Sequence, residues 1–331
     1  MSTKDSTFQD FPELAKRSDF TQKKLKTLRD RFKSIIESSD YSEQITIVTT
    51  GSYGRGEASE ESDLDLFILL DADEPVKEAI PDVLDAIKQL IDEEVPKSTG
   101  ETTTFGPRTV IKFSEMLQNI GGSEDDNESL TRRMLYLLEG TWLYGQKRFE
   151  RYRHRLLEKY IKEDSPDHQL SKFFLNEIIR YYRTIATDFE HKVSERNKEW
   201  GLRSTKLRFS RKLLYFGGLI TVAEVSELTQ AEKVERSISL LEKPVLERVA
   251  ALSDSESQST REIFRIYEQF LTAISDPEIR QTLEQTDKES RHDCKQYMQL
   301  RELSSEFSNR LATWIEEQFN KEHPIHHSLI F

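Results

Sequence analysis

The spacing of hydrophobic positions changes along the chain and predicts a short mixed region followed by a long helical one. From Asp19 to Ile36, apolar side chains recur at helical spacing, which predicts a first helix. Residues 45–50 alternate β-branched and other side chains and predict a strand, which Gly51 and Ser52 end. Residues 62–69 predict a second strand that begins with two aspartates.

Further elements follow at shorter intervals. Pro75 opens a second amphipathic helix, which Pro96 stops, and residues 101–113 predict one or two more strands. Residues 130–145 predict a helix that ends at a glycine. Beyond that glycine the pattern is helical almost throughout, so the chain as a whole predicts an α+β fold class with an all-α second half.

The two aspartates at the start of the second strand are the first candidates for chemistry. Successive side chains of a strand point to opposite faces, so Asp63 and Asp65 share one face roughly 7 Å apart at Cα. Leu64 and Leu66 then point into the core. A buried strand accepts two neighbouring carboxylates only when a cation neutralises them. Hard oxygen ligands in this arrangement suit Mg²⁺.

The end of the first strand offers a site for an anion. Backbone N–H groups and the hydroxyl of Ser52 can surround a phosphate there, and Gly51 permits its close approach. Arg55 adds a cation that can bind phosphate in a bidentate manner. The sequence therefore predicts a phosphate site beside a metal site.

Two motifs in this stretch resemble the signature of the nucleotidyltransferase superfamily that includes DNA polymerase β. They are Gly51-Ser52 and, after ten intervening residues, Asp63-Leu64-Asp65-Leu66. The amino-acid sequence of this stretch is similar to that of nucleotidyltransferases related to the uridylyltransferase of nitrogen signalling. The resemblance implies a small mixed sheet flanked by helices and two Mg²⁺ ions, for which Mn²⁺ can substitute. It also implies three segments: residues 1–40, a helix packed on the core; residues 41–145, the catalytic domain; and residues 146–331, a helical domain.

The superfamily usually supplies a third metal-binding carboxylate from a later strand, and here the sequence departs from it. Residues 109–113 form the best candidate strand and contain no acid. We assign Glu101, which precedes that strand, as the third ligand beside Asp63 and Asp65, with Glu115 as the alternative. If neither glutamate binds the metal, the site holds one tightly bound metal ion or has lost catalysis.

The resemblance also implies that cations of the helical half clamp the triphosphate. In residues 202–214, Arg208, Arg211 and Lys212 fall at three- and four-residue spacing and share one helix face. These three are our candidates for nucleotide binding. Other cations and aromatic residues nearby extend the set: Arg180, Arg183 and Lys206 for phosphate, Tyr181 or Tyr182 for stacking on a base.

Composition limits the partners. The 331 residues carry a formal net charge of −12, which argues against an extended surface for duplex nucleic acid but permits a local cationic pocket. The single cysteine, Cys294, excludes an intramolecular disulfide and a thiolate zinc cluster. The sequence shows no signal peptide and no apolar run of membrane-spanning length, which predicts a cytoplasmic protein without membrane contact.

These observations predict an Mg²⁺-dependent nucleotidyltransferase that moves a nucleoside monophosphate from an NTP or dNTP to a hydroxyl acceptor. We favour a nucleotide acceptor, which gives a short oligonucleotide or a signal nucleotide of the kind made in bacterial defence. One alternative is nucleotidylylation of a protein side chain. Others are a catalytically idle nucleotide-binding interaction module and a drug-inactivating adenylyltransferase. The sequence leaves the oligomeric state open, a homo-oligomer included.

Overall fold

A computed structural model describes residues 7–71, 81–95, 110–118, 120–161, 167–196, 199–254 and 257–329 of the chain. The chain divides into two compact units. One comprises Lys16–Lys162 and contains the sheet; the other joins Met1–Ala15 to Glu163–Phe331 and is helical. The glutamate assigned as third metal ligand, Glu101, lies outside the described residues.

The sheet of the first unit is mixed. Its four described strands lie in the order β3-β2-β1-β4. β1 runs antiparallel to both of its neighbours, whereas β2 and β3 are parallel. The strands are β1 (Ile45–Thr49), β2 (Leu66–Leu70), β3 (Val110–Lys112) and β4 (Thr141–Tyr144). This small mixed sheet with helices around it and a helical second half confirms the predicted α+β class.

One face of the sheet carries an apolar cluster. Leu28 and Phe32 of the first helix pack with Ile47 of β1, Ile68 of β2 and Leu90 of the third helix, and all five side chains are buried. The helices of this unit are α1 (Pro12–Ile36, whose first residues belong to the other unit), α2 (Gly51–Gly54), α3 (Pro81–Glu94), α4 (Phe113–Leu117), α5 (Asn127–Leu138) and α6 (Gln146–Tyr160).

Aromatic side chains cover the opposite face of the sheet. The ring of Tyr136 on α5 lies 6.4 Å from Phe67 of β2 and 5.0 Å from Phe149 of α6. Phe113 and Tyr152 stack at 3.8 Å, which joins α4 to α6. Because of these contacts α6 belongs to the sheet unit, whereas residues from 146 onward are predicted from sequence to form the helical domain.

The helix predicted for residues 130–145 is wrong in its second half. α5 ends at Leu138, and Thr141–Tyr144 forms β4, which pairs with β1. Gly145 then adopts a φ of +76°, a left-handed conformation that favours glycine, before α6 begins. The β-branched and aromatic run between two glycines gains more from pairing with β1 than from extending α5.

The second unit consists of helices, and the N-terminal segment belongs to it. Phe8 and Phe11 pack against Phe264 at ring distances of 5.4 and 5.5 Å, which anchors this segment. No described helix of either unit has the length and apolar character needed to cross a bilayer. The helices are α7 (Lys172–Arg196), α8 (Trp200–Lys206), α9 (Lys212–Glu224), α10 (Gln230–Leu241), α11 (Val245–Ala251), α12 (Gln258–Ser275), α13 (Pro277–Gln285), α14 (Lys295–Gln318) and α15 (Pro324–Ser328), with a π-helical turn, Leu207–Arg211, between α8 and α9.

Candidate active site

The turn between β1 and α2 brings a glycine directly under a carboxylate. Gly51 has a φ of +67°, a conformation that a residue with a side chain adopts only with strain. A Cβ atom built on Gly51 would lie 2.6 Å from Oδ2 of Asp65. The absence of a side chain at position 51 therefore allows the Asp65 carboxylate to lie against the turn.

The two predicted aspartates lie on the extended segment that leads into β2. The strand itself begins at Leu66, later than predicted, although Thr50 N–H still donates to the Asp65 carbonyl at 3.0 Å. Asp63 and Asp65 are exposed, whereas Leu64 between them is only 1% exposed. The predicted alternation is therefore observed, but the expectation that burial itself demands a cation is wrong.

Asp63 faces the same turn as Asp65. Burial raises the pKa of Tyr53 to about 12, and the negative charge of Asp63 adds to that shift. Asp63 is therefore close to the side chain of Tyr53, which is 2% exposed. Neither aspartate side chain forms a hydrogen bond or an ion pair with any residue in the described part of the chain.

Ser52 lies at the start of α2 with its side chain partly exposed. Its carbonyl oxygen accepts a hydrogen bond from Glu57 N–H at 2.9 Å, which closes the loop that follows α2. Within the described ranges, neither its hydroxyl nor its backbone N–H group is bonded to a protein group. The serine thus presents a donor at the predicted phosphate position.

Gly51 and Arg55, which were predicted to contact phosphate, both contact a buried glutamate. Gly51 N–H donates to Glu139 Oε1 at 2.9 Å, and Arg55 Nη1 donates to Glu139 Oε2 at 2.5 Å. Arg55 also pairs with Glu57 at 2.6 Å, and its side chain is only 8% exposed. Two carboxylates therefore hold the guanidinium against the turn, which stabilises the turn.

Sequence reasoning missed Glu139. It follows the last residue of α5 and precedes the glycine before β4. The available signal was one acid inside a long apolar run, between Leu138 and Gly140, at a point where the pattern predicted an uninterrupted helix. An isolated carboxylate in such a run needs a partner, and here Arg55 and Gly51 supply it.

Glu115, the alternative third ligand, lies at the wrong end of the sheet. β3 runs parallel to β2 with Lys112 beside Leu70, the residue of β2 farthest from Asp65. Leu70 lies five positions after Asp65, which is roughly 16 Å along an extended chain. Glu115 is exposed on α4, beyond Lys112, so it is too far from Asp65 to share an ion with it.

The carboxylates of Asp63 and Asp65 are ligands of the kind that a divalent cation prefers, but two carboxylates are few for a metal site. Asp63 and Asp65 offer two carboxylates of the hard oxygen kind that Mg²⁺ prefers, and Mg²⁺ usually keeps several waters and takes further ligands from substrate phosphates. Among the residues that the structure describes, no group of three histidine, cysteine, aspartate or glutamate side chains could hold a metal ion. A third protein ligand would have to come from outside these residues.

The three predicted cations of the helical unit lie where α8 passes into α9. Arg208 and Arg211 belong to the π-helical turn and Lys212 begins α9; all three are partly exposed. Burial and the charge of Arg208 lower the pKa of Lys212, so these two cations are close to each other. Tyr182 stacks on Tyr215 at 4.6 Å in the same unit, and the charge of Arg208 acts on Tyr182.

A comparison with known protein families gives a match that includes the Gly51 turn and the two aspartates. Residues 25–115 match the family model described as a nucleotidyltransferase domain. The match covers the second half of α1, the Gly51 turn and both aspartates, and it confirms the resemblance to the nucleotidyltransferase superfamily. Compared with curated proteins, the chain has no match among them.

Proposed function

We propose that the nucleotidyltransferase domain of this chain transfers a nucleoside monophosphate from an NTP or dNTP to a hydroxyl acceptor, with Asp63 and Asp65 at the reacting centre. The observation that carries the proposal is the position of Asp65. Its carboxylate lies against Gly51, one residue before the unbonded hydroxyl of Ser52. An exposed carboxylate therefore lies against the turn that contains the serine, with the second exposed carboxylate two residues before it, an arrangement that suits nucleotidyl transfer.

The chain's own groups divide the work between orientation and charge. Ser52 donates from its hydroxyl to an oxygen of the β- or γ-phosphate, so that the α-phosphate lies near the aspartates. Asp63 and Asp65 would hold Mg²⁺, in one or two ions, with Mn²⁺ as a substitute; when bound, Mg²⁺ neutralises the charge that develops on the phosphate oxygens. Glu101 stays our candidate for a third ligand, outside the described residues.

The bond changes are those of a single phosphoryl substitution. The acceptor oxygen forms a bond to the α-phosphorus, the bond from that phosphorus to the oxygen of the β-phosphate breaks, and pyrophosphate leaves. The acceptor hydroxyl loses its proton. The products are the nucleotidylated acceptor, pyrophosphate and a proton.

Three cations of the helical unit stay our candidates for nucleotide binding. Arg208, Arg211 and Lys212 are partly exposed, and the Arg208 guanidinium forms no hydrogen bond within the described ranges. Burial first and the charge of Arg208 second lower the pKa of Lys212, so the two cations lie close together and an anionic triphosphate would offset their repulsion. The nearby Tyr182 and Tyr215 rings offer an aromatic surface for a base.

The same reaction needs an acceptor that supplies a hydroxyl group. We favour the sugar hydroxyl of a second nucleotide, which gives a short oligonucleotide or signal nucleotide as in bacterial defence. A protein side chain is the alternative acceptor. The two differ in where label from an α-³²P nucleotide appears: in small oligomers or on a polypeptide.

The test is release of pyrophosphate and transfer of label from each NTP and dNTP in Mg²⁺ or Mn²⁺. Asp63→Asn and Asp65→Asn each keep the shape of the side chain and remove its charge, and we expect each to lower turnover at least ~100-fold. Asp30→Asn is the matched control, because Asp30 is an exposed aspartate on α1.

Undiminished turnover in either site variant would remove the proposal. Tight binding of nucleotide by the wild type without pyrophosphate release, under any acceptor condition, would favour the idle binding module instead. Label on a polypeptide alone would assign protein modification.

A further inference from the structure

We propose that Glu139 is a positioning residue for this site: it holds the Gly51 turn in the place where Asp65 can act. The inference rests on the proposed function, but its structural part can be tested without turnover. Glu139 lies in no signature of the sequence, and its side chain has no exposed surface. A buried carboxylate of that kind is retained only where its partners need it.

Both oxygens of the Glu139 carboxylate bind the turn. Oε1 accepts the Gly51 N–H at 2.9 Å, and Oε2 accepts Arg55 Nη1 at 2.5 Å. Gly51 and Arg55 flank α2, so one side chain contacts the residue at the start of this short helix and the residue just after it. The carboxylate thereby fixes the position of α2 relative to β4, which Glu139 precedes.

The backbone of Glu139 contacts the same helix. A Cβ atom built on Gly54 would lie 2.1 Å from the Glu139 carbonyl oxygen, so α2 packs directly on this peptide. Only a glycine at position 54 permits that approach. The side chain and the backbone of one residue therefore support α2 from one side.

A second carboxylate completes the support on the other side. Arg55 Nε donates to Glu57 Oε1 at 2.7 Å, and the carbonyl of Glu57 accepts Arg17 Nη1 at 2.9 Å. Ala58 N–H donates to Thr21 Oγ1 at 2.9 Å, one turn further along α1. The loop after α2 is thus tied to α1, and Arg55 joins it to Glu139.

The contact between the Asp65 carboxylate and Gly51 links Glu139 to the proposed chemistry. Because the Asp65 carboxylate lies against Gly51, a shift of this glycine changes where Asp65 can lie. A misplacement of about 1 Å at a reacting group costs on the order of 10²-fold in rate. Loss of Glu139 should therefore lower kcat more than it changes KM for the nucleotide.

The experiment compares Glu139→Gln with Glu60→Gln, an exposed glutamate in the loop after α2. Glutamine is close in shape but carries no charge for Arg55. We expect amide hydrogen exchange of residues 51–56 to become at least about tenfold faster in Glu139→Gln only. In the transfer assay we expect kcat to fall 10- to 100-fold with KM changed less than about threefold.

Glu139→Asp serves as the second variant. Aspartate keeps the charge for Arg55 but is one methylene shorter, so it should restore part of the exchange protection and part of kcat. If Glu139→Gln does not fold, this variant carries the test by itself, with partial losses in both quantities.

Unchanged amide exchange in folded Glu139 variants would overturn the proposal. So would a fall in kcat without any change in exchange at residues 51–56, because the effect would then not pass through the turn. If the wild type transfers no nucleotide, the proposed function fails, and the exchange measurement still decides whether Glu139 holds the turn.

Discussion

At the residue scale, the site depends on a glycine whose missing side chain makes room for a carboxylate. Gly51 combines a φ of +67° with a would-be Cβ contact of 2.6 Å to Asp65 Oδ2. Gly121 has a similar φ of +75° but no atom within 4 Å of its would-be Cβ. The two glycines therefore share the backbone strain that alanine would introduce, and only Gly51 adds a clash with Asp65.

The comparison of Gly51 with Gly121 predicts different effects of alanine on activity. Gly51→Ala and Gly121→Ala should each lower the free energy of unfolding by about 1–2 kcal/mol from the left-handed conformation alone. We expect Gly51→Ala to lower nucleotide transfer at least ~30-fold and Gly121→Ala to leave it within twofold. Denaturant unfolding and the transfer assay measure the two quantities. Equal activity in both alanine variants would contradict the proposed place of Asp65.

Tyr53 reports on the position of Asp63. Its neutral phenol is favoured by burial first and by the charge of Asp63 second, which together raise its pKa to about 12. We expect Asp63→Asn to lower the pKa of Tyr53 while keeping it above 10, because burial remains. Difference absorbance of the phenolate measures it, with Tyr53→Phe as the reference. An unchanged pKa would place Asp63 away from this turn.

The raised pKa of Tyr53 also makes the stability of the fold depend on pH. The pKa of Tyr53 is higher in the folded chain than in the unfolded one, so the folded state holds the proton more firmly. The contribution to stability is fully present below pH 10 and is lost as the pH rises from 10 to about 12. Tyr53→Phe should make that decline shallower.

Some of these residues could be predicted from sequence and others could not. Gly51, Ser52, Asp63 and Asp65 were predicted because their chemistry follows from residue type and spacing within one short stretch. The contact between Arg55 and Glu139 could not be predicted, because Glu139 lies 84 positions away in sequence. Pairing across that distance is set by the register of β4 on β1, which the spacing of hydrophobic positions does not encode.

At the element scale, the main error was the conversion of a strand into a helix. Residues 130–145 contain leucines at both helical and alternating positions, so periodicity alone favours neither structure. The free edge of β1 decides, because pairing Thr141–Tyr144 there satisfies its backbone groups. The start of α5 is more regular, because the Asp126 side chain caps it by accepting the N–H of Ser129 at 2.7 Å.

The last described helix, α15, gives a prediction about pH. His323 accepts the N–H of Ile325 at its Nδ1 and bonds Ser226 through Nε2 at 2.8 Å. Burial lowers the pKa of His323, with Glu227 opposing that shift and His326 adding to it. The neutral ring is thus favoured in the folded state. Its contribution to stability is full above pH 6.5 and is lost as the pH falls through the folded pKa.

We therefore expect amide exchange in residues 324–328, corrected for its intrinsic rate, to become faster as the pH falls below 6.5. Asparagine also caps helices but does not titrate in this range, so His323→Asn should remove most of that pH dependence. Equal pH dependence in the two proteins would show that His323 does not control the start of α15.

At the scale of the whole molecule, the charge distribution is compatible with a nucleotide substrate and less so with a long polyanion. The net charge of −12 repels duplex nucleic acid, whereas Arg208 and Lys212 gather positive charge locally in the helical unit. The sheet unit carries the two aspartates and the serine. The order of these parts along the chain was predictable from sequence. The boundaries of the units were not, because the packing of α6 and of residues 7–15 depends on contacts between distant aromatic residues.

The central claim is that Asp63 and Asp65 bind a divalent cation beside Ser52, and binding of Mn²⁺ in the presence of a nonhydrolysable NTP analogue tests it without an acceptor. Electron paramagnetic resonance of free Mn²⁺ measures the bound fraction. We expect saturable binding by the wild type and by Asp30→Asn, and at least about tenfold weaker binding when both Asp63 and Asp65 are replaced by asparagine. Binding of equal strength in the doubly substituted protein would contradict the account.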